Sequence, residues 1–374
     1  MTMGQSTLFS KKTTSMLHGL AILMMIYHHL FINGNHWCLN EGASLFDILE
    51  FMNPYRSASM QLLFAWFCKI CVAVFAFTSG YGICAQLDKK CDGTYRSMYG
   101  YCFRRLWSFY KQFMIAFLFF NGYQLLFDNS HGFDYSFLNF ILNMLGLRTS
   151  YNATLWYVPL YYCMILLSPL FYAVLNGKIS FRLVVWLAIA GIFCSATILC
   201  YAYMINDLPH YLMIFSNLIQ SPFTIYMTVF FEGMACCRFL ILDKISRKMG
   251  LLTNLLLLTA TFVLRTMVIR VPGDYVFDIM FIIPFILSVS GLMSYSKYLS
   301  TALCRLGNYS SYMWYSHPYF YSYLFFGFIR KSDISLFVYA QVVLYSMTTS
   351  LFFSFVEKNL DKLCKNIIRK ETTS

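Results

Sequence analysis

Residues 17–31 read LHGLAILMMIYHHLF, an apolar run that carries three histidines, His18, His28 and His29. A run of about 20 apolar residues is long enough to cross the hydrocarbon core of a bilayer as a helix. The rest of the chain has the same character, with 59% hydrophobic and 12% charged residues. A soluble globular protein is about half apolar and about a quarter charged. The sequence therefore predicts an all-α integral membrane protein.

Further apolar runs follow along the chain, separated by short polar connections. Together they predict a polytopic bundle of about ten transmembrane helices, in a single domain of residues 1–374. A weaker amphipathic piece at about 137–147 is expected to lie at the membrane interface. The runs lie at about 14–33, 58–83, 104–127, 155–175, 182–204, 218–240, 249–270, 275–295, 307–329 and 334–356.

The basic residues set the predicted orientation. If the N-terminus is cytoplasmic, most of the 28 lysines and arginines fall in segments on the inside. Both termini are then cytoplasmic, with tails at about 1–13 and 357–374. The net charge of +12 comes from short basic clusters between apolar runs, so it does not predict binding to nucleic acid.

Two of the first histidines share a helix face. His18 and His29 lie eleven residues apart, which places them about 16 Å apart along one side of an α-helix, and His28 points away from that side. Imidazole gains or loses a proton near neutral pH, so His29 is a candidate general base or covalent acyl carrier. The alternative is that His28 and His29 are interfacial side chains that bond to water or backbone.

Three basic residues mark the third apolar run. Arg104 and Arg105 open it, and Lys111 lies about two turns further in. One interpretation is that they anchor the helix at the cytoplasmic surface. The other is that the guanidinium groups bind the phosphates of an anionic donor.

Other polar residues lie within or beside the apolar runs. His317 precedes Pro318, which is consistent with a satisfied core histidine in a kinked helix. Lys69 can snorkel toward the outer surface. Four charged residues flank an outer turn, where they either pair with each other or line a cleft for a sugar. They are Arg265, Arg270, Asp274 and Asp278.

The 13 cysteines lie mostly inside apolar runs. There a free cysteine behaves as a small hydrophobe. Their spacing matches neither a zinc site nor a disulfide framework, so no metal site is predicted.

Three motifs lie in the N-terminal third of the chain: HGLAILMMIYHH, ICVAVFAFTSGYGI and FRRLWSFY. Together they resemble the acyltransferase-3 family of membrane acyltransferases. HGLAILMMIYHH is similar to the family's first helix, in which Arg or Lys is followed after ten residues by His. His29 stands at the histidine position, and His18 stands where the family has Arg or Lys. ICVAVFAFTSGYGI resembles the second span, which ends in Ser-Gly-Tyr, here with Tyr81. FRRLWSFY resembles the Arg-x-x-Arg motif, with Arg105 as the second arginine and Cys102 at the first.

Two later motifs extend the resemblance to nearly the whole chain. TLWYVPLYYCMILLSPL resembles the family's fourth span, which is led by a tryptophan, here Trp156. LCRLGNYSSYMWYSHPYF resembles the late Leu-Gly-x-x-Ser…His helix, with Gly307, Ser310 and His317.

The resemblance implies an O-acyltransferase of the bacterial plasma membrane. Its donor substrate would be acyl-CoA, most often acetyl-CoA, with no permanently bound cofactor, and its acceptor a hydroxyl of an envelope polysaccharide or glycolipid. His29 would be catalytic together with His18, and Arg104, Arg105 and Lys111 would hold the donor's phosphates. The candidate substrate-binding residues, from this resemblance and from the polar groups above, are Lys69, Tyr81, Trp156, His317 and Asp274.

The histidine at position 18 leaves a question about the site. A neutral imidazole does not supply the fixed charge of Arg or Lys. Either His18 is protonated, or a nearby cation replaces that charge, or the activity is altered.

Two other functions stay open at this point. One is a transporter or flippase of a glycan or lipid-linked sugar, in which titratable residues along one helix face form a path. The other is a family member that serves as a binding or regulatory subunit. The acyl chain, the acceptor sugar and the oligomeric state are not determined by the sequence.

Overall fold

The computed structural model describes residues 9–33, 60–127, 134–177, 221–268, 274–321 and 335–373. Throughout this part the chain is helical, without any β-strand, which confirms the all-α prediction for the described residues. The helices are α1 (Lys11–His28), α2 (Met60–Phe67), α3 (Cys71–Lys90), α4 (Tyr95–Phe127), α5 (Phe137–Met144), α6 (Tyr157–Asn176), α7 (Pro222–Phe239), α8 (Ile241–Ser246), α9 (Leu251–Val268), α10 (Asp278–Met293), α11 (Lys297–Gly307), α12 (Ser310–Tyr321) and α13 (Ser335–Thr373).

Within these ranges, six helical stretches are long and apolar enough to cross a membrane, as expected of an integral membrane protein. They match six of the predicted runs, and α4, α7 and α12 fall in three more. The predicted run at 182–204 lies outside the described residues, so the count of ten and the cytoplasmic position of both termini stay predictions. The six stretches are Lys11–Ile32, Met60–Lys90, Ala153–Asn176, Leu251–Val268, Tyr275–Met293 and Leu336–Asn366.

The helix that contains the third predicted run, 104–127, begins before that run. Helix α4 begins at Tyr95, so Arg104 lies about 14 Å inside the helix rather than at its start. The helix begins after Thr94, whose hydroxyl accepts a hydrogen bond from the Ser97 amide at 3.3 Å. A capping threonine starts a helix whether or not the following residues are apolar, and apolar content alone does not detect it.

Helix α1 lies at the centre of the described part and packs against α3, α11, α12 and α13. Its closest neighbour is α11, where two glycines meet backbone. A Cβ on Gly19 would collide with the carbonyl oxygen of Leu303, and a Cβ on Gly307 would collide with that of Ser15. The two helices therefore touch backbone to backbone, which only small residues permit.

A second glycine crossing joins α3 to α7. A Cβ on Gly80 would collide with the carbonyl oxygen of Phe230, and a Cβ on Gly233 with that of Phe77. The Ser-Gly-Tyr segment at the end of the second run therefore has a packing reason for its glycine.

A buried ion pair ties α9 to α10. Arg265 and Asp278 are almost fully buried, and Arg265 Nη2 lies 2.8 Å from Asp278 Oδ1. Tyr226 on α7 donates to Asp278 Oδ2 at 3.2 Å, and Arg265 Nη1 donates to the carbonyl of Trp66 on α2 at 3.0 Å. The pairing interpretation is confirmed for these two of the four residues at the outer turn.

The amphipathic piece predicted at 137–147 contains α5, whose amide side chains face inward and whose apolar side chains face outward. Asn139 and Asn143 are buried, whereas Phe137 and Leu138 are 83% and 67% exposed. A short helix that holds amides inward and apolar side chains outward suits the boundary between lipid and headgroups.

Replacing Gly80 by alanine is expected to lower the free energy of unfolding by about 1–3 kcal/mol, because α3 and α7 must move apart. Gly82→Ala is the matched control on the same helix, since no described atom lies within 4 Å of its Cβ position. Thermal unfolding of both variants in the same detergent measures the difference. Equal unfolding midpoints would contradict the close crossing.

Candidate functional site

A cavity of about 260 Å³ opens inside the described bundle. Its walls come from α1, α3, α4, α12 and the segment where the 3₁₀ turn Ala153–Trp156 leads into α6. Helix α1 contributes His18, and the π-helical turn His29–Asn33 that continues it contributes His29. These two residues lie eleven positions apart, so the cavity extends for about 16 Å along this segment.

The structure brings four of the predicted site residues to this cavity. His18, His29, Arg105 and Trp156 line it, although they come from three separate parts of the chain. The shared helix face predicted for the two histidines is therefore the face of α1 that meets the cavity.

His29 is hydrogen-bonded to His317, which the sequence also predicts as a site residue. Its Nδ1 lies 2.8 Å from Nε2 of His317, which is fully buried on α12. The two ring planes are inclined by only 7°. Nδ1 of His317 in turn lies 2.8 Å from the carbonyl oxygen of Trp314 and 3.1 Å from that of Met313. His317 is thus placed behind His29, and is not itself among the residues that line the cavity.

His28 has a separate role from its neighbour. It is buried, and its Nδ1 lies 2.9 Å from the carbonyl oxygen of Ala65 on α2. Its ring packs near Trp66. The interpretation that a histidine here bonds to backbone is therefore confirmed for His28.

His18 is anchored to α3. Its Nε2 lies 2.8 Å from Oγ1 of Thr78, whose hydroxyl donates to the carbonyl oxygen of Val74 at 2.6 Å. Its ring contacts Phe75, which also lines the cavity.

Arg105 is the arginine of the pair that reaches the cavity. Its side chain stays accessible because it faces this space, and its Nε donates to the hydroxyl of Tyr161 at 3.0 Å. It lies within electrostatic reach of His18. Arg104 is exposed and does not line the cavity. Arg104 and Arg105 point about 100° apart around the helix, and the packing of α4 brings Arg105 to this space.

Lys111 lies elsewhere, although it was expected to hold the donor's phosphates. Its Nζ lies 2.8 Å from Asp361 and 3.2 Å from Glu357, both on α13. Glu357 also accepts from the hydroxyl of Tyr312 at 3.0 Å. This cluster joins α4 to α13, and the charge of Lys111 is balanced within the protein.

Lys69 and Tyr81 are not among the described residues that line the cavity, and the position of Asp274 relative to it is not described. Lys69 lies over the rings of Trp66 and Tyr275, at 5.5 and 5.0 Å from their centroids. Tyr81 is buried, with its ring centroid 4.3 Å from that of Phe9. Asp274 begins the 3₁₀ turn Asp274–Phe277, and its side chain lies outside the described part.

Polar residues that sequence reasoning missed line the cavity with Arg105. Ser108 and Gln112 are on α4, and Ser79 is on α3. Positions 105, 108, 109 and 112 follow the i, i+3, i+4, i+7 spacing of one helix face, so that spacing was the signal that could have found Ser108 and Gln112. Aromatic residues complete the wall: Phe75, Phe109, Trp156, Tyr157, Tyr161 and Trp314.

In the described part of the chain, no group of three His, Cys, Asp or Glu side chains is placed to hold a metal ion. No protein-family model, curated protein or solved structure matches this chain. The resemblance drawn from the five motifs therefore stays a prediction.

Proposed function

We propose that this protein is a membrane O-acyltransferase that moves an acyl group from acyl-CoA to a hydroxyl of an envelope sugar. One observation carries the proposal: His29 and Arg105 line the same cavity. A base and an anion-binding group that share one enclosed space can hold two substrates for direct reaction.

The donor end of the cavity is the end with Arg105 and His18. Among the described residues, Tyr161 is the hydrogen-bond partner of Arg105 and engages its Nε. Both Nη groups stay available for a ligand, and guanidinium binds phosphate through paired hydrogen bonds. The proposal includes Arg105 as the nearby cation that replaces the charge missing at His18, since Arg105 lies within electrostatic reach of that histidine.

The acceptor end is the end with His29 and Trp156. Rings of Trp156, Tyr157 and Trp314 line the cavity, and Tyr157 and Trp314 meet edge to face at 5.8 Å. Apolar ring faces with a few polar groups are usual in pockets for organic ligands. A sugar ring presents C–H groups on its faces and hydroxyls on its rim, so it fits between such rings with one hydroxyl toward His29.

The chemistry needs one base and one leaving group. His29 takes the proton of the acceptor hydroxyl as the oxygen attacks the thioester carbonyl. The tetrahedral intermediate then collapses, the carbon–sulfur bond breaks, and the proton passes from His29 to the thiolate of CoA. The products are an O-acyl sugar and free CoA, and no other reactant is consumed.

The predicted orientation of the protein in the membrane is consistent with two substrates that arrive from opposite sides. The donor would enter from the cytoplasm at Arg105, and the acceptor would be presented from the outer side at His29. This assignment places the enzyme in the plasma membrane, with a glycan or glycolipid and membrane lipid as its partners.

The proposed base is His29. His29→Gln is expected to lower transfer of label from radioactive acetyl-CoA to a glycan extract of the source cells by about 100-fold or more, because no group remains to take the hydroxyl proton. His28→Gln is the matched control, since His28 bonds to Ala65 outside the cavity. Both purified variants are compared with the original protein at equal folded concentration.

Undiminished labelling by His29→Gln would end the catalytic assignment. Movement of glycan across vesicles of the purified protein, without consumption of acetyl-CoA, would support the transporter alternative instead.

The proposed donor-binding residue is Arg105. Arg105→Gln is expected to raise the KM for acetyl-CoA about tenfold or more, because charge-assisted hydrogen bonds to phosphate are lost. Arg104→Gln should leave that KM unchanged within about twofold, since Arg104 lies off the cavity. With S-acetylpantetheine, which has no phosphate, the Arg105→Gln variant and the original protein should have the same KM. An equal rise of the KM for both donors would contradict phosphate binding.

A further inference from the structure

Helix α12 contains a proline that leaves one carbonyl without its helical partner. In an α-helix the amide of residue 318 would bond to the carbonyl of residue 314, but Pro318 has no amide hydrogen. His317 fills the gap, since its Nδ1 lies 2.8 Å from the Trp314 carbonyl oxygen. The sequence His-Pro therefore locks the imidazole of His317 against its own helix.

The hydrogen bond to the Trp314 carbonyl determines which ring nitrogen of His317 carries the hydrogen. A carbonyl oxygen only accepts, so Nδ1 of His317 must carry the hydrogen. In the neutral ring the other nitrogen, Nε2, then has a lone pair and accepts. His29 Nδ1 lies 2.8 Å from that lone pair, and the near-parallel planes of the two rings suit an N–H donor directed at it.

The tautomer of His29 follows from that of His317. If Nδ1 of neutral His29 donates to His317, its Nε2 holds a lone pair. Among the described residues, His29 has no hydrogen-bond partner at Nε2, and His29 lines the cavity. The lone pair is therefore available to a hydroxyl in that space.

The reverse assignment would require a cation in the core. For His317 to donate to His29, both nitrogens of His317 must carry hydrogen, and the ring is then charged. His317 has 0% exposure, and its hydrogen-bond partners in the described part are two carbonyls and a neutral imidazole. A buried charge without a counter-ion costs far more than the neutral arrangement.

We infer that His317 is a positioning residue, which fixes His29 in the tautomer whose Nε2 lone pair can take the acceptor proton. The inference rests on the proposed function for its catalytic consequence. When His29 takes the proton at Nε2, its Nδ1–H stays bonded to His317, and the imidazolium keeps an acceptor inside the bundle. The proton later leaves for the thiolate by the same Nε2.

His18 carries the opposite tautomer, which makes the two cavity histidines distinguishable. The single hydroxyl proton of Thr78 goes to the carbonyl of Val74, so Thr78 Oγ1 accepts from Nε2–H of His18. His18 and His29 therefore present different ring nitrogens to their partners.

The direct test is ¹⁵N NMR of the full-length protein, labelled at histidine, in lipid nanodiscs. The signal that disappears in His29→Gln belongs to His29, and it is expected to show an Nδ1–H tautomer in the original protein. In His317→Leu, which keeps bulk but has no acceptor, the His29 signal should move toward the Nε2–H tautomer. An Nε2–H signal in the original protein, or an unchanged signal in His317→Leu, would overturn the inference.

Kinetics give the second readout. His317→Leu should lower kcat by about 10- to 100-fold with an unchanged KM for acetyl-CoA, as for other groups that orient a catalytic histidine. His317→Gln should recover most of that loss, because its amide oxygen can accept from Nδ1–H of His29. An equal loss in both variants, with the tautomer unchanged, would show that His317 serves only the packing of α12.

The two readouts separate this inference from the proposed function. The NMR signals need no turnover, so the expected tautomers in a protein that transfers no acyl group would support the positioning and refute the transfer. Acyl transfer with the wrong tautomer would do the reverse.

Discussion

The backbone contact between Gly19 and Gly307 is the constraint on which the site depends. Each glycine lies ten residues before a histidine. Gly19 is followed by the rest of α1 and then His29, whereas Gly307 ends α11 and a short turn leads into α12, which carries His317. Nδ1 of His29 and Nε2 of His317 then meet at 2.8 Å. A larger side chain at either glycine would separate the helices and the two imidazoles with them. The packing motif and the chemical motif are therefore parts of one arrangement.

The charged groups of the helices fall into two kinds, and their partners distinguish them. Arg265 is balanced by Asp278, and Lys111 by Glu357 and Asp361, so these charges stabilise contacts between helices. In the described part of the chain, Arg105 is hydrogen-bonded at Nε to a neutral phenol, and it lines the cavity. This difference is the reason to propose Arg105, and not Lys111, as the group that binds the donor.

Much of the fold could be predicted from local pattern. Apolar runs predicted the membrane helices of the described part, and the eleven-residue spacing predicted that His18 and His29 share a face. The first residue of α4 could not be read from hydropathy, because a threonine cap begins that helix before the apolar run. The choice between Arg104 and Arg105 depends on which side of α4 meets α6 and α12. That is a property of packing, and a single helix does not reveal it.

The sequence by itself determined that this chain is built of membrane helices, that imidazoles lie on one side of the first of them, and that a proline follows His317. These are local properties, set by composition and by the period of a helix. Only the tertiary structure decided that His29 meets His317 across 288 positions of sequence. It also decided that Arg105 shares the cavity with His29 and that Lys111 is not among the residues that line it. The reason is physical: a hydrogen bond forms only when the donor and the acceptor lie within a few tenths of an ångström of their preferred separation. That separation is set by how separate helices pack.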